Sequence, residues 1–128
     1  MNSRASSPAR TLICDLDGTL VDSAPDMAAA LGDLLADLGR PPPSVAAVHN
    51  MIGDGVAILV ERALAAGGET PAKADLPAYV ANYQAYYERR LNDLTRPYPG
   101  AVATLTTLKA AGWRLAVCTN KPEGHSRR

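Results

Sequence analysis

The stretch Leu12-Ile13-Cys14-Asp15-Leu16-Asp17-Gly18-Thr19-Leu20-Val21-Asp22-Ser23 decides how the chain is read. A short apolar run, Leu12 to Cys14, ends abruptly in two aspartates one residue apart. Such a run reads as a buried parallel strand, about Thr11 to Asp15. The carboxyl ends of parallel strands are where open α/β sheets place their chemistry. Asp15 therefore falls at a strand tip and Asp17 in the turn beyond it. Gly18 permits a tight turn, and Thr19 can hydrogen-bond locally to hold it. Two carboxylates this close repel unless a cation lies between them, and hard oxygen ligands suit Mg²⁺. With a metal present, one carboxylate can act as nucleophile and the other as proton donor and acceptor. A bare D-x-D is more often simply an Asp-rich turn after a strand.

The next seventy residues or so read as helical. Ser23-Ala24-Pro25-Asp26 fits a capping box, with Ser23 as N-cap. Met27, Leu31, Leu34, Leu35 and Leu38 follow at helical spacing, which leaves Asp26, Asp33 and Asp37 on the solvated face. Gly39 and the Pro41–Pro43 run stop the helix. Ser44 can cap a short second helix through Met51. Gly53-Asp54-Gly55 interrupts, and a third helix runs from about Val56 to Ala66, with Val56, Leu59, Val60 and Leu64 inward. Asp75 and Pro77 start a fourth, whose stripe is Leu76, Val80, Tyr83, Tyr87 and Leu91. The tyrosines of that stripe read as packing, since amphipathic rings bridge core and water. Pro97-Tyr98-Pro99-Gly100 marks a re-entry turn before a helix from Ala101 to Ala111, carrying Val102, Leu105 and Leu108. Trp113 to Cys118 is a second short strand, ending in Thr119-Asn120-Lys121-Pro122. Thr119 thus occupies a strand tip, as Asp15 does. A hydroxyl and backbone N–H groups there can hold phosphate oxygens, although a Thr-Asn pair is also ordinary loop composition.

The string CDLDGTLVDSAPD, residues 14–26, closely resembles the first motif of the haloacid dehalogenase (HAD) superfamily, in particular its phosphoglycolate phosphatase branch. LAVCTNKP, residues 115–122, is similar to the second motif of that branch. The resemblance implies that Asp15 attacks phosphorus to form an aspartyl phosphate. It implies that Asp17 protonates the leaving group and then activates water, and that Thr119 binds the phosphoryl group with Asn120 in support. Family members that cleave carbon–halogen bonds typically carry Tyr where this chain has Asp17, so Asp17 favours a phosphatase. The fold implied is α/β: a partial Rossmann-like core of two parallel strands, residues 11–23 and 95–128, with an inserted helical cap over residues 24–94. Gly53 and Gly55 then belong to a cap loop that closes over substrate, although G-x-G is most often only a helix–helix turn. Arg62 could meet a substrate carboxylate or lie on a solvated helix face. Mg²⁺ is the implied cofactor, held by the Asp15 carboxylate and the Asp17 main-chain carbonyl.

The motif match runs from Thr11 to Glu123. The third-motif Lys and the fourth-motif acids that complete the family's site are not among these 128 residues, and Lys121 does not occupy the third-motif position. The expectation is the N-terminal part of such a phosphatase. The activity implied is hydrolysis of a small phosphorylated metabolite, 2-phosphoglycolate first. A pyrophosphatase, or a sugar-phosphate phosphatase or mutase, remains open. So does a catalytically silent fragment whose helical cap and exposed core edge associate with a partner or with a second copy, since strand one would be bare on one side.

Composition bounds the rest. Thirteen basic and thirteen acidic residues cancel, so no nucleic-acid or membrane footprint shows. Phe is absent, and the core must rest on Leu, Val, Ile and Ala. No apolar run reaches transmembrane length. Met1 to Arg10 reads as a short disordered leader without the apolar segment of a signal peptide, and cytoplasm is the expected location. Cys14 and Cys118 could form a disulfide if their strands are neighbours, but the metal-dependent intracellular reading favours reduced, buried thiols. His49 and His125 have no metal-ligand spacing.

Overall fold

The computed structural model describes residues 8–128. Strand β1 (Thr11–Cys14) leads through a two-residue strand β2 (Val21–Asp22) into helices α1 (Ala24–Asp37), α2 (Val45–His49), α3 (Val56–Ala66) and α4 (Leu76–Arg90). The chain returns through β3 (Arg96–Pro97), α5 (Ala101–Ala110), β4 (Arg114–Val117) and a last turn of helix, α6 (Glu123–Ser126). The fold is α/β, as the motif pattern implies. No helix among the described residues is long and apolar enough to cross a membrane.

β1 and β4 pair in parallel, with Thr11 opposite Arg114 and Cys14 opposite Val117. The ladder runs past both strand ends: Arg114 N–H donates to the Arg10 carbonyl and Cys118 N–H to the Cys14 carbonyl, each at 2.8 Å. The leader is expected over residues 1–10. Residues 1–7 lie outside the described residues, but Arg10 is already tied to the sheet, and its guanidinium stands 5.6 Å from the Trp113 ring centroid. A ribbon that two-residue strands could not announce in sequence joins β2 to β3 antiparallel, with Asp22 opposite Arg96. It closes the neck where the chain leaves for the helices and comes back.

The buried core lies in those helices. Leu31, Leu34 and Leu35 of α1, Val48 of α2, Val60 and Leu64 of α3, and Tyr83 and Tyr87 of α4 are each at most 2 % exposed. The helical periodicity named nearly all of them. Ser44 caps α2 as expected, its Oγ accepting from Ala47 N–H at 3.1 Å.

Three expectations are corrected. Ser23 sits at the N-cap of α1 but makes no capping bond. Its backbone is helical (φ −99°, ψ −3°), and its hydroxyl donates instead to Asp17 Oδ1 at 2.7 Å, a stronger, charge-assisted bond. Asp26 is not on a solvated face but 1 % exposed. Its carboxylate accepts from Leu94 N–H (3.0 Å), Thr95 N–H (2.8 Å) and the Thr95 hydroxyl (2.6 Å), which binds the returning chain to the first turn of α1. Such a carboxylate is well placed at a helix N-terminus, where free N–H groups leave positive potential. Cys118 is exposed and Cys14 only half-buried, both as free thiols. β4 has a sheet neighbour on one side only, so all four of its residues stay exposed.

Candidate active site

The site grows from the turn after β1. The Leu16 carbonyl accepts from Thr19, Leu20 and Val21 N–H, and Gly18 N–H donates to the Val21 carbonyl at 2.9 Å. This coil needs Gly18 at φ +78°, where a side chain would be strained. The backbone thus holds the turn, and Thr19 lies exposed outside it. Asp15 stands exposed at the strand tip, with Oδ1 accepting from Leu16 N–H at 2.8 Å. Asp17 turns inward, its side chain 10 % exposed.

The parallel register carries the loop after β4 to the same end of the sheet. Thr119 Oγ1 accepts from Lys121 N–H at 3.1 Å, which folds that loop back on itself. Asn120 Nδ2 reaches across 67 positions of sequence to the Gly53 carbonyl at 2.8 Å. The Gly53-Asp54-Gly55 loop is therefore fastened over the strand ends. Gly53 and Gly55 take φ of +123° and +93°, which glycine alone adopts without strain. Arg62 braces the loop from behind, donating to Asp54 Oδ2 (2.7 Å) and the Met51 carbonyl (3.1 Å). Its side chain is exposed on α3, on the solvated helix face that is one of the two positions expected of it. His49 lies beside Asp22, with Nε2 3.6 Å from Oδ1.

Between loop and strand ends is a cleft lined by Asp15, Asp17, Thr119 and Asn120 together with Gly53 and Gly55. All six site residues expected from sequence thus face one space. Tyr83, Tyr87, Lys121 and His125 also line it. The tyrosines do pack, with ring centroids 5.8 Å apart, but they form the wall of the cleft as well. His125 of α6 meets Tyr87 edge-on at 5.4 Å.

Sequence reasoning missed Lys121. Its side chain is 5 % exposed, and its Nζ donates to Asp17 Oδ1 (3.0 Å) and to the Tyr87 hydroxyl (2.8 Å). Burial alone would lower its pKa, but the Tyr87 bond and the Asp17 charge outweigh this and hold the ammonium above the usual lysine value. Burial pushes the Tyr87 phenol up, against the pull of Lys121. Tyr83 is raised further, by burial first and then by Tyr87 and Asp17. The available signal was the apolar–Thr–Asn–Lys order itself, which puts a long cationic side chain two residues past a strand tip.

No group of three or more His, Cys, Asp or Glu able to hold a metal ion occurs among the described residues. The donor chemistry that is present suits Mg²⁺ even so. Asp15 offers a carboxylate, and the turn directs its N–H groups to the Leu16 and Val21 carbonyls rather than to that of Asp17. Both are hard oxygens, and Mg²⁺ commonly keeps waters in its remaining positions.

Paired carboxylates and a hydroxyl thus meet at the carboxyl ends of adjacent parallel strands, roofed by helices, which makes this an α/β protein with a strand-tip site. The haloacid dehalogenase-like hydrolase family model matches residues 9–128, and the chain belongs to that family. It is 46 % identical over 116 residues to a phosphoglycolate phosphatase of Cereibacter sphaeroides, covering 91 % of this chain and 53 % of that protein. It is 44 % identical over 120 residues to phosphoglycolate phosphatase 1 of Pseudomonas aeruginosa, covering 89 % and 42 %. The crystal structure of a predicted phosphoglycolate phosphatase from Haemophilus somnus superposes with a TM-score of 0.81 at 34 % identity, covering 94 % of this chain and 55 % of that one. The chain spans about half the length of the curated relatives it matches.

Proposed function

We propose that this chain carries the nucleophile half of a Mg²⁺-dependent phosphomonoesterase site, with 2-phosphoglycolate as its first substrate. The observation that carries the reading is the β1–β4 register, which sets Asp15, Asp17 and Thr119 around one cleft. The names of the relatives point to the substrate. In this reading residues 24–94 form a cap, residues 11–23 and 95–128 the core, and the Gly53–Gly55 loop the lid of the site.

The steps follow from the side chains. Thr119 and neighbouring N–H groups hold the phosphoryl oxygens. An Asp15 oxygen attacks phosphorus while the bond to the substrate's alcohol oxygen breaks, and Asp17, which enters this step protonated, gives that oxygen its proton. Asp17 then takes a proton from water, whose oxygen displaces Asp15 from phosphorus and releases phosphate. The Asp15 carboxylate and the Asp17 carbonyl would hold Mg²⁺, which would supply charge to offset the phosphoryl oxygens. Most of the acceleration in such transfers comes from positioning and charge. Cytoplasm suits a small phosphorylated substrate and two free thiols.

The test is phosphate release from 2-phosphoglycolate by this 128-residue chain with Mg²⁺, beside Asp15→Asn and beside pyrophosphate and sugar phosphates as rival substrates. Release that vanishes in Asp15→Asn is expected. Equal release by both chains removes Asp15 as nucleophile, and a stronger response to a rival reassigns the substrate. One observation favours a second reading, a silent module that self-associates: Ile13 is 65 % and Val117 51 % exposed on the small sheet. Absence of release together with concentration-dependent dimerisation selects it.

A further inference from the structure

We infer that Lys121 is a positioning residue that joins helix α4 to Asp17, so that the placement of the proton donor depends on the seating of the helices over the strands. Its Nζ stands between Asp17 Oδ1 at 3.0 Å and the Tyr87 hydroxyl at 2.8 Å. Asp17 belongs to the turn after β1 and Tyr87 to α4, and these two side chains share Lys121 as their link. The lysine side chain is 5 % exposed, so neither bond is exchanged readily for water. A buried ammonium left with one partner is costly, which makes each partner depend on the other.

The surrounding groups hold both partners of Lys121. Tyr87 is 2 % exposed, stacked on Tyr83 and edge-on to His125. Asp17 Oδ1 is also held by the Ser23 hydroxyl at 2.7 Å, at the start of α1. The residue before Lys121, Asn120, bonds the Gly53 carbonyl. The loop after β4 thus grips the helices at two points, and only the Lys121 grip passes on to a carboxylate of the strand-tip pair. If α4 lifts, Lys121 loses Tyr87 and the Asp17 carboxylate is left with the Ser23 hydroxyl as its anchored donor. The proton donor is then correctly placed only when the helices are down over the cleft.

The role of Asp17 as proton donor rests on the function proposed above; the mechanical link does not, and the experiment separates them. Melting temperatures are measured for Asp17→Asn, Tyr87→Phe and their double variant, in the natural chain and with Lys121→Met. Non-additivity of about 3 °C or more between Asp17→Asn and Tyr87→Phe is expected with Lys121 present, and additivity with Lys121→Met. Additive shifts in both backgrounds overturn the link, whatever the activity. Should the natural chain release phosphate, Lys121→Met is expected to lower kcat about tenfold or more with KM within about twofold, and Lys121→Arg to recover part of the loss. A risen KM at unchanged kcat would make Lys121 a substrate anion ligand and overturn the positioning role. Should the natural chain release none, the functional reading fails while the melting cycle still decides the link.

Discussion

At the residue scale, buried polar groups carry most of the specificity. Asp26 is the clearest. Removing its carboxylate takes the acceptor from the N–H groups of Leu94 and Thr95. Bonds to a charged group contribute about 1.5–3 kcal/mol each, and orphaned buried donors cost a similar amount. Asp26→Ala is expected to destabilise the chain by about 2–4 kcal/mol, read as a lower denaturant midpoint. A loss below about 0.5 kcal/mol, the size of an ordinary surface change, would show that the neck does not depend on it. Tyr83 gives a pH signature. Its phenol stays neutral in the fold beyond the pH at which an unfolded tyrosine ionises, chiefly because it is buried. The unfolded chain therefore binds fewer protons above about pH 10. The stabilisation is complete below that pH and is lost as pH rises toward the folded value. Between about pH 10 and 11.5 the melting temperature should fall more steeply in the natural chain than in Tyr83→Phe. Parallel curves would sink this prediction.

At the element scale, the seam between α1 and α4 holds the helices together. Leu31 and Leu34 meet the stripe that contains Tyr83 and Tyr87, all within one buried cluster. Leu31→Ala is expected to cost about 2–5 kcal/mol, because a fully buried leucine leaves a cavity. The Asp33–Arg90 pair bridges the same two helices at 2.6 Å, but both side chains are more than a third exposed. Screening by water limits it to about 1 kcal/mol or less, so Asp33→Ala should move the midpoint far less than Leu31→Ala. These helices were legible because 3.6-residue periodicity and cap residues are local signals; α3 begins and ends at the residues the pattern names. What was not legible is non-local. The β2–β3 ribbon is two residues per strand, too short for any period. Asp26 looked solvated because its partners, Leu94 and Thr95, lie 68 and 69 positions away. Lys121 looked like loop composition because its partners sit on two other elements. Asp15, Asp17 and Thr119 were readable because a strand tip is itself a local pattern, and the register then brought them together.

At the scale of the whole molecule, stability and chemistry are unevenly shared. Every residue of the buried core falls between Ala24 and Tyr87, while the two parallel strands that bear Asp15 and Thr119 contribute none. Ile13, Leu115 and Val117 on those strands are exposed, as is Val102 of α5. A two-stranded sheet with bare apolar edges is a template for further pairing. The strands should accordingly be the first part to open, and their amides should exchange hydrogen sooner than those of α1 and α4. The same edge should make the chain associate with itself as concentration rises. Ile13→Lys places a charge on the more exposed strand position without touching the helical core, and edge lysines oppose pairing. Sedimentation should show the natural chain growing heavier with concentration and Ile13→Lys remaining monomeric at an unchanged melting temperature. A natural chain that stays monomeric throughout would mean that the small sheet is protected in solution despite its exposure. An Ile13→Lys chain that still associates would move the contact to Val102 and the α5 side of the sheet.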